Sequence, residues 1–304
     1  MSTYLYGIDL GGTKIEGAVV NKARPDLAVC RLRVPTGGSQ GYAHVLRQIV
    51  LLVRMLERES GTKRPPCIGF GTPGVIDPAK GILKNSNTVC LNGERVRDDI
   101  TKALGVEARL ANDANCFALA EAMFGAGRGR RVVMGLILGT GCGGGVVVDG
   151  RVLDGLHGIA GEWGHNPIPG ENFPCYCGRR GCVETAISGP ALERHYKGLT
   201  GKSLRMREIV QRAGEGDRAA RATLRRLRSK FGQAIAAVID ILDPDAIVIG
   251  GGVGNIDLLY TEETRRAVLK HVFNPELHTE FLRPALGDSA GVFGAAMLSA
   301  SPRP

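Results

Sequence analysis

Four side chains suited to a soft divalent metal fall close together: His165, Cys175, Cys177 and Cys182. Three thiolates and an imidazole complete a tetrahedral Zn²⁺ shell and leave no position for water, so a metal held this way is structural. Pro174, Gly178 and Gly181 lie among the ligands and allow the tight turns that chelation needs. Only one residue separates Cys175 from Cys177, which is shorter than zinc-finger spacing and favours a knuckle inside a larger protein. Taken singly, each would read as a reduced thiol or a loop histidine; it is the grouping that points to metal.

Two carboxylates, Glu162 and Glu184, bracket the cluster. A metal would fix them in place, and acceptor-only groups held rigidly suit the hydroxyls of a neutral polyol. Alone, either glutamate would read as a surface charge. Trp163, the only tryptophan, reads as a packing side chain with sugar stacking as the alternative.

Glycine clusters follow three apolar runs, at Gly11 and Gly12, at 139–145, and at Gly250, Gly251 and Gly252. The absence of a Cβ lets backbone N–H groups approach phosphate closely. Equally, glycine turns close ordinary hairpins, and these fit neither the Walker A form nor the dinucleotide fingerprint. Asp9 precedes the first turn and would either hold Mg²⁺ through water or bond the turn amides. The run Asn112, Asp113, Ala114, Asn115 offers a helix N-cap at Asn112 or Asp113, or a general base at Asp113 for an attacking hydroxyl.

The elements that must carry these groups show a repeat. GIDLGGTKIEGAVV at 7–20 and GLILGTGCGGGVVV at 135–148 share Gly7/Gly135, Leu10/Leu138, Gly11/Gly139, Gly17/Gly145, Val19/Val147 and Val20/Val148. That period is too long for a solenoid and suits two lobes on one plan. Each copy reads as a strand, a glycine turn and a second strand. Between them helices at about 39–59, 95–104 and 114–124 alternate with strands at about 66–71 and 107–110, which means α/β. Helices over about 188–241, a strand at 246–249, a helix near 257–272, a strand near 281–285 and a helix from about 290 complete the pattern. The lobe boundary is expected near 115–130, where Gly125, Gly127 and Gly129 break the helical spacing.

With 304 residues, 43% apolar and 23% charged, the chain has the composition of an ordinary globular protein. The net charge of +9 does not mark a nucleic-acid surface, because the arginines of 205–228 are interspersed with Glu208, Glu215 and Asp217. No secretory signal or membrane span is visible. Cys30, Cys67, Cys90, Cys116 and Cys142 stand singly in apolar surroundings and read as reduced residues of a cytoplasmic protein.

Together these motifs resemble the ROK family of bacterial sugar kinases, over Tyr4 to Ala300. GIDLGGTK at 7–14 is similar to its first phosphate motif, LGTGCGGG at 138–145 to its second and VIGGG at 248–252 to its adenosine motif. GEWGH at 161–165 and CYCGRRGCVE at 175–184 are similar to the family signature. The resemblance implies a two-lobed, actin-like, duplicated ribonuclease H-like fold with a zinc-binding loop. It places a small lobe at 1–120, joined by a C-terminal helix at about 289–304, and a large lobe at 121–288 with the zinc loop at 161–184.

It also implies Asp113 as catalytic base, and Asn87, Asn112, Asp113, Glu162, His165 and Glu184 as sugar contacts. His165 would use one ring nitrogen for zinc and the other for sugar. ATP, accompanied by Mg²⁺, would meet Asp9, Gly11, Gly12, Thr13, Lys14, Gly139, Thr140, Gly141, Gly143, Gly250, Gly251 and Gly252. One structural zinc per chain, a homodimer and transfer to the C6 hydroxyl of a hexose follow from the same resemblance.

KNSN at 84–87, LNG at 91–93, GEWGHNPIP at 161–169 and PCYCG at 174–178 resemble the fructokinase and mannokinase branch most, making fructose or mannose the expected sugar. The N-acetylglucosamine kinase branch is the alternative, and Cys90 departs from the fructokinase pattern, which tends to an aromatic residue there. Two other classes remain: a repressor of this family, for which no DNA-binding segment is expected ahead of the strand at Tyr4, and a catalytically silent sugar sensor.

Overall fold

The structure, a computed structural model, describes residues 3–287 and 290–300, apart from the side chains of residues 25 and 26. Residues 289 and 301–304 of the expected C-terminal helix lie outside the described residues.

The apolar runs flanking the first glycine turn form β1 (Tyr4–Leu10) and β2 (Lys14–Asn21), antiparallel, with Asp9 opposite Glu16. A third strand, β3 (Arg24–Pro35), extends the hairpin antiparallel to β2. Beyond β1 lie β4 (Cys67–Thr72) and, after the small two-stranded sheet of β5 (Val75–Ile76) and β6 (Leu83–Lys84), β7 (Glu107–Asn112), both in parallel pairing. The order is β3-β2-β1-β4-β7.

The second copy repeats the plan. β8 (Val132–Leu138) and β9 (Cys142–Val148) flank the second turn, and β10 (Arg151–Val152), β11 (Ala246–Gly250) and β12 (Glu280–Leu282) complete the order β10-β9-β8-β11-β12. Position for position, β8 takes the place of β1, β11 that of β4 and β12 that of β7, with β8, β11 and β12 parallel. The duplicated α/β fold expected from the internal repeat is therefore present.

The helices are α1 (Tyr42–Ser60), α2 (Val96–Leu104), α3 (Asp113–Met123), α4 (Val183–Ile187), α5 (Gly189–Thr200), α6 (Met206–Gly214), α7 (Arg218–Leu242), α8 (Gly251–Gly254), α9 (Glu262–Leu269) and α10 (Ala290–Leu298). Where the sequence suggests one helix over 257–272, the chain makes a 3₁₀ turn at Asp257–Tyr260 and then α9, because Thr261 is extended and caps α9 by accepting from the Thr264 amide. The expected strand at 281–285 is three residues long and lies at 280–282.

The chain divides into two compact units, one of Met1–Gly129, Gly145–Ala160 and Ala285–Pro304, the other of Arg130–Gly144 and Gly161–Pro284. In the first, Val45, Ile49, Leu52, Val53 and Leu56 of α1 recur at helical spacing and bury one face against Ile8, Ile15 and Phe70. Here α10 lies directly on β1, β4 and α3. A Cβ at Gly69 would stand 1.7 Å from the Ala295 carbonyl oxygen, and one at Gly294 1.8 Å from that of Cys116. No side chain fits at either place, so α10 fixes the ends of the strands and helix that carry Asp9 and Asp113. The second unit packs α4, α5, α6 and α7 around Leu136, Ile187, Leu192, Phe231, Ile235 and Ile247.

Candidate active site

In the first unit the turn between β1 and β2 is closed by the Gly11 amide on the Lys14 carbonyl at 3.0 Å and held from outside by buried Thr36, whose hydroxyl donates to the Gly11 carbonyl at 2.6 Å. A Cβ at Gly12 would lie 3.6 Å from Thr88 Oγ1 and 3.9 Å from Asn87 Oδ1. The turn and Asn87 are thus neighbours. The Asn92 side chain brackets Ser86, accepting from its amide at 2.8 Å and donating to its carbonyl at 2.9 Å, and so fixes the segment that presents Asn87. Asn92 belongs to the LNG run at 91–93, but its positioning role emerges only when that run folds back on Ser86.

Asp9, next to the end of β1, is largely enclosed. Burial, then the charges of Asp113 and Glu16, raise its carboxyl from 3.8 to about 6 against the opposing pull of Lys14. Glu16 is the counterweight: burial would raise it, but hydrogen bonds and charge from Arg31 and Arg33 outweigh that and hold it below the ordinary value.

At the head of α3 the cap is Asn112, whose side chain accepts the Asn115 amide at 2.6 Å. Asp113 is released from capping. Its Oδ1 accepts the Ala114 amide at 2.8 Å, and desolvation by the surrounding protein raises the carboxyl above the usual range although the residue is exposed. Of the two sequence readings of this run, the cap belongs to Asn112, and Asp113 is left poised as an acceptor. Behind it Asn115 Nδ2 reaches Asp154 Oδ1 at 3.4 Å.

In the second unit the turn Gly139–Gly141 is closed by the Gly139 amide on the Gly141 carbonyl at 2.9 Å. The third glycine cluster lies against it, a Cβ at Gly139 standing 4.0 Å from the Gly252 amide nitrogen. Gly251 has φ +85° and no room, since a Cβ would be 2.3 Å from the Leu138 carbonyl oxygen. Glu184, at the start of α4, accepts the Cys142 amide at 3.0 Å through Oε2. A Cβ at Gly141 would lie 2.6 Å from that same oxygen. The second turn and one of the bracketing carboxylates are therefore a single constellation. Trp163 is buried, its indole N–H on the Gly143 carbonyl at 3.2 Å, so it is a packing residue.

His165, Cys175, Cys177 and Cys182 each bring one ligand atom within 4.8 Å of the others. Cys175 Sγ is 3.6 Å from His165 Nδ1, and Cys177 Sγ is 3.6 Å from Cys182 Sγ. A Zn–S bond of about 2.3 Å gives a tetrahedral edge of about 3.8 Å, so the residues fit a closed zinc site with Nδ1 as the histidine ligand. Glu162 immediately precedes the 3₁₀ turn Trp163–His165, and Cys182 immediately precedes α4. A metal held by these four would tie together the two pieces that carry Glu162 and Glu184.

One residue escapes sequence reasoning. His165 Nε2, the ring nitrogen turned away from Cys175, lies 3.1 Å from the hydroxyl of Tyr176, whose ring meets the imidazole edge-on at 5.2 Å and 85°. Tyr176 is 82% exposed, yet desolvation at its hydroxyl, then the charges of Glu184 and Glu162, push the phenol up to about 12.

The profile of the ROK family matches residues 5–301. The chain belongs to the ROK family. It is 34% identical over 304 residues to the N-acetyl-D-glucosamine kinase of Photobacterium profundum, covering 97% of this chain and 98% of that one. Among solved structures it is similar to the ROK hexokinase of Thermus thermophilus, with a TM-score of 0.85, 33% identity and 98% coverage of both chains. It is also similar to a ROK family glucokinase from Streptomyces griseus in complex with glucose and AMPPNP, with a TM-score of 0.78, 27% identity and coverage of 98% and 99%. Among the described residues no helix is long and apolar enough to cross a membrane.

Proposed function

We propose that this ROK sugar kinase transfers the γ-phosphoryl group of ATP to the C6 hydroxyl of N-acetyl-D-glucosamine. The observation that carries the choice of sugar is the 34% identity, over nearly the full length of both chains, to a kinase of that name. Fructose or mannose is the second reading, supported by KNSN at 84–87 and PCYCG at 174–178.

Asp113 is the base. With Oδ1 engaged by the Ala114 amide, Oδ2 takes the proton as the sugar oxygen attacks the γ-phosphorus and ADP leaves. A raised carboxyl is a stronger base than an ordinary aspartate, which suits it to the developing alkoxide. Asn112 spends its carbonyl oxygen on the cap and offers its amide N–H to the sugar, alongside Asn87. Glu162 and Glu184 accept from sugar hydroxyls, Glu184 through the oxygen not engaged by Cys142.

The glycine turns with Thr13, Lys14 and Thr140 present backbone and side-chain donors to the nucleotide phosphates, and Gly250, Gly251 and Gly252 meet its nucleoside. Mg²⁺ brought with ATP would spread phosphate charge, and Asp9 is the carboxylate suited to its water shell. Zn²⁺ on His165, Cys175, Cys177 and Cys182 would supply only a fixed tether, since a closed shell has no reactive position.

Coupled ADP release with N-acetylglucosamine, N-acetylmannosamine, glucose, mannose and fructose tests the reading. The highest kcat/KM is expected for N-acetylglucosamine. A preference for fructose or mannose would overturn the sugar, and turnover with none would overturn the kinase.

A further inference from the structure

We infer that Glu121 is a positioning residue of the transfer step: by clamping the approach to α10 onto α3, it fixes Asp9 relative to the base, Asp113. The inference rests on the sugar-kinase reading and adds to it a residue with no surface to offer a substrate.

Glu121 is fully buried, on a helix whose residues from Ala114 to Ala122 are all enclosed. It stands eight residues beyond Asp113, about 12 Å along the axis. A side chain so enclosed is costly unless its oxygens are occupied. Three backbone amides occupy them. Oε2 accepts from Ala126 at 2.9 Å and from Ala285 at 3.0 Å, and Oε1 accepts from Leu286 at 3.0 Å. Gly125 makes the room, since no Cβ fits there beside Oε2. The Ala126 bond only closes the end of α3. The other two reach 164 and 165 positions along the chain.

Those two bonds matter for where they lead. α10 begins at Ala290, shortly after Leu286, and its second residue meets Asp9: a Cβ at Gly291 would stand 3.1 Å from Asp9 Oδ2. No Cβ fits at Gly7 of β1 against the Val292 carbonyl, or at Gly294 against the carbonyl of Cys116 in α3. α10 therefore touches the strand of Asp9 and the helix of Asp113 backbone to backbone. Close packing of this kind has nothing soft to absorb a slide of α10 along α3, so a slide displaces Asp9. Glu121 opposes it at the approach to α10. The two acids are near enough that the charge of Asp113 helps to raise Asp9. Their spacing thus sets how a metal–phosphate group beside one meets the sugar oxygen beside the other, and a misplacement of about 1 Å can cost about 10²-fold in rate.

The test is Glu121→Gln, which keeps the size and turns one acceptor oxygen into a donor facing amide donors. Ile100→Val, on the buried face of α2, is the control for lost stability. Steady-state kcat is measured, with the Kd of sugar alone and of AMPPNP with and without Mg²⁺, by calorimetry. In Glu121→Gln kcat is expected to fall about 10- to 100-fold and Mg²⁺·AMPPNP to bind about 3- to 10-fold more weakly. Sugar and metal-free AMPPNP should bind as to the wild type, and Ile100→Val should change none of the four. Gly125→Ala, which presses on Oε2 without removing it, should repeat both losses and carries the test if Glu121→Gln does not fold. Unchanged kcat and Mg²⁺·AMPPNP binding in the folded variant would overturn the inference and leave Glu121 a part of the core. So would equal losses in Ile100→Val, which belong to stability. Turnover of a hexose by the wild type separates either failure from that of the sugar-kinase reading, which falls only if the wild type is inactive on every hexose.

Discussion

The acidic groups of the first unit and those of the second are held in place by different means. Asp9 and Asp113 stand on regular structure: Asp9 on a strand paired on both sides, Asp113 on the first turn of a capped helix, with α10 packed against both elements. Glu162 and Glu184 stand on a 3₁₀ turn and a five-residue helix, joined by a loop from which Phe173 and Tyr176 project into solvent. Trp163, Ile168, Val183 and Ile187 anchor the two ends of this loop in the core, but the stretch between them buries little apolar surface beyond its cysteines and gains little from the hydrophobic effect. A metal on His165, Cys175, Cys177 and Cys182 would stand in for a core along that stretch. The same task, fixing a carboxylate, falls to packing alone in the first unit and to packing joined with a cluster able to hold a metal in the second.

The comparison breaks most sharply at Asp113. Asp113→Asn keeps the helix start, because the cap is Asn112 and asparagine can still accept the Ala114 amide. Turnover should nevertheless fall about 10²- to 10⁴-fold, the usual contribution of a general base, with sugar binding by calorimetry nearly intact. Near-normal kcat would show that the base lies elsewhere. Because the first unit is held by packing, the variant should melt within a few degrees of the wild type.

In the second unit the corresponding substitution is at a ligand. Cys177→Ser should lower zinc well below one per chain and, by freeing Glu162 and Glu184, reduce kcat/KM about 10- to 100-fold, the range seen when the support of a metal site is lost. Chelation of the wild type should reproduce this, and its melting temperature should fall as well. Full zinc and full activity in Cys177→Ser would refute the ligand set and, with it, the contrast between a packed unit and a coordinated one.

What the sequence discloses follows the same division. The paired glycine turns, their strands and the His/Cys cluster are legible because each depends on residue type at short spacing, and the repeat of 7–20 at 135–148 exposes the duplicated topology. β3 is not legible. Its inner half carries Arg31 and Arg33, which interrupt the apolar pattern, and they are tolerated because both bond Glu16 across the sheet. Nor can spacing decide between Asn112 and Asp113 as the cap, since both types cap well; only the Asn115 amide shows which one does. Tyr176 is hidden for a third reason. Its partner His165 is eleven positions away, and the two meet only through the fold of the loop between them.

Asp9 gives the finest test, because a packed site should show a penalty that a coordinated one escapes. Its carboxyl is raised from 3.8 to about 6. A raised acid favours folding fully below the unfolded value near 3.8, and that contribution is lost as pH climbs through about 6. At pH 7.5 the free protein therefore holds an ionised, enclosed carboxylate at a cost of about 1–3 kcal/mol, allowing for partial solvent screening. Asp9→Asn removes the charge at nearly constant shape. The variant should melt a few degrees above the wild type at pH 7.5, at about 2–4 °C per kcal/mol, and the gain should shrink to about a third of that near pH 4.5. A gain of the same size at both pH values would mean that Asp9 is strained by shape and not by charge. No gain at either would mean that Lys14 already neutralises it, and the first unit would then hold its acids as comfortably as the metal loop holds its own.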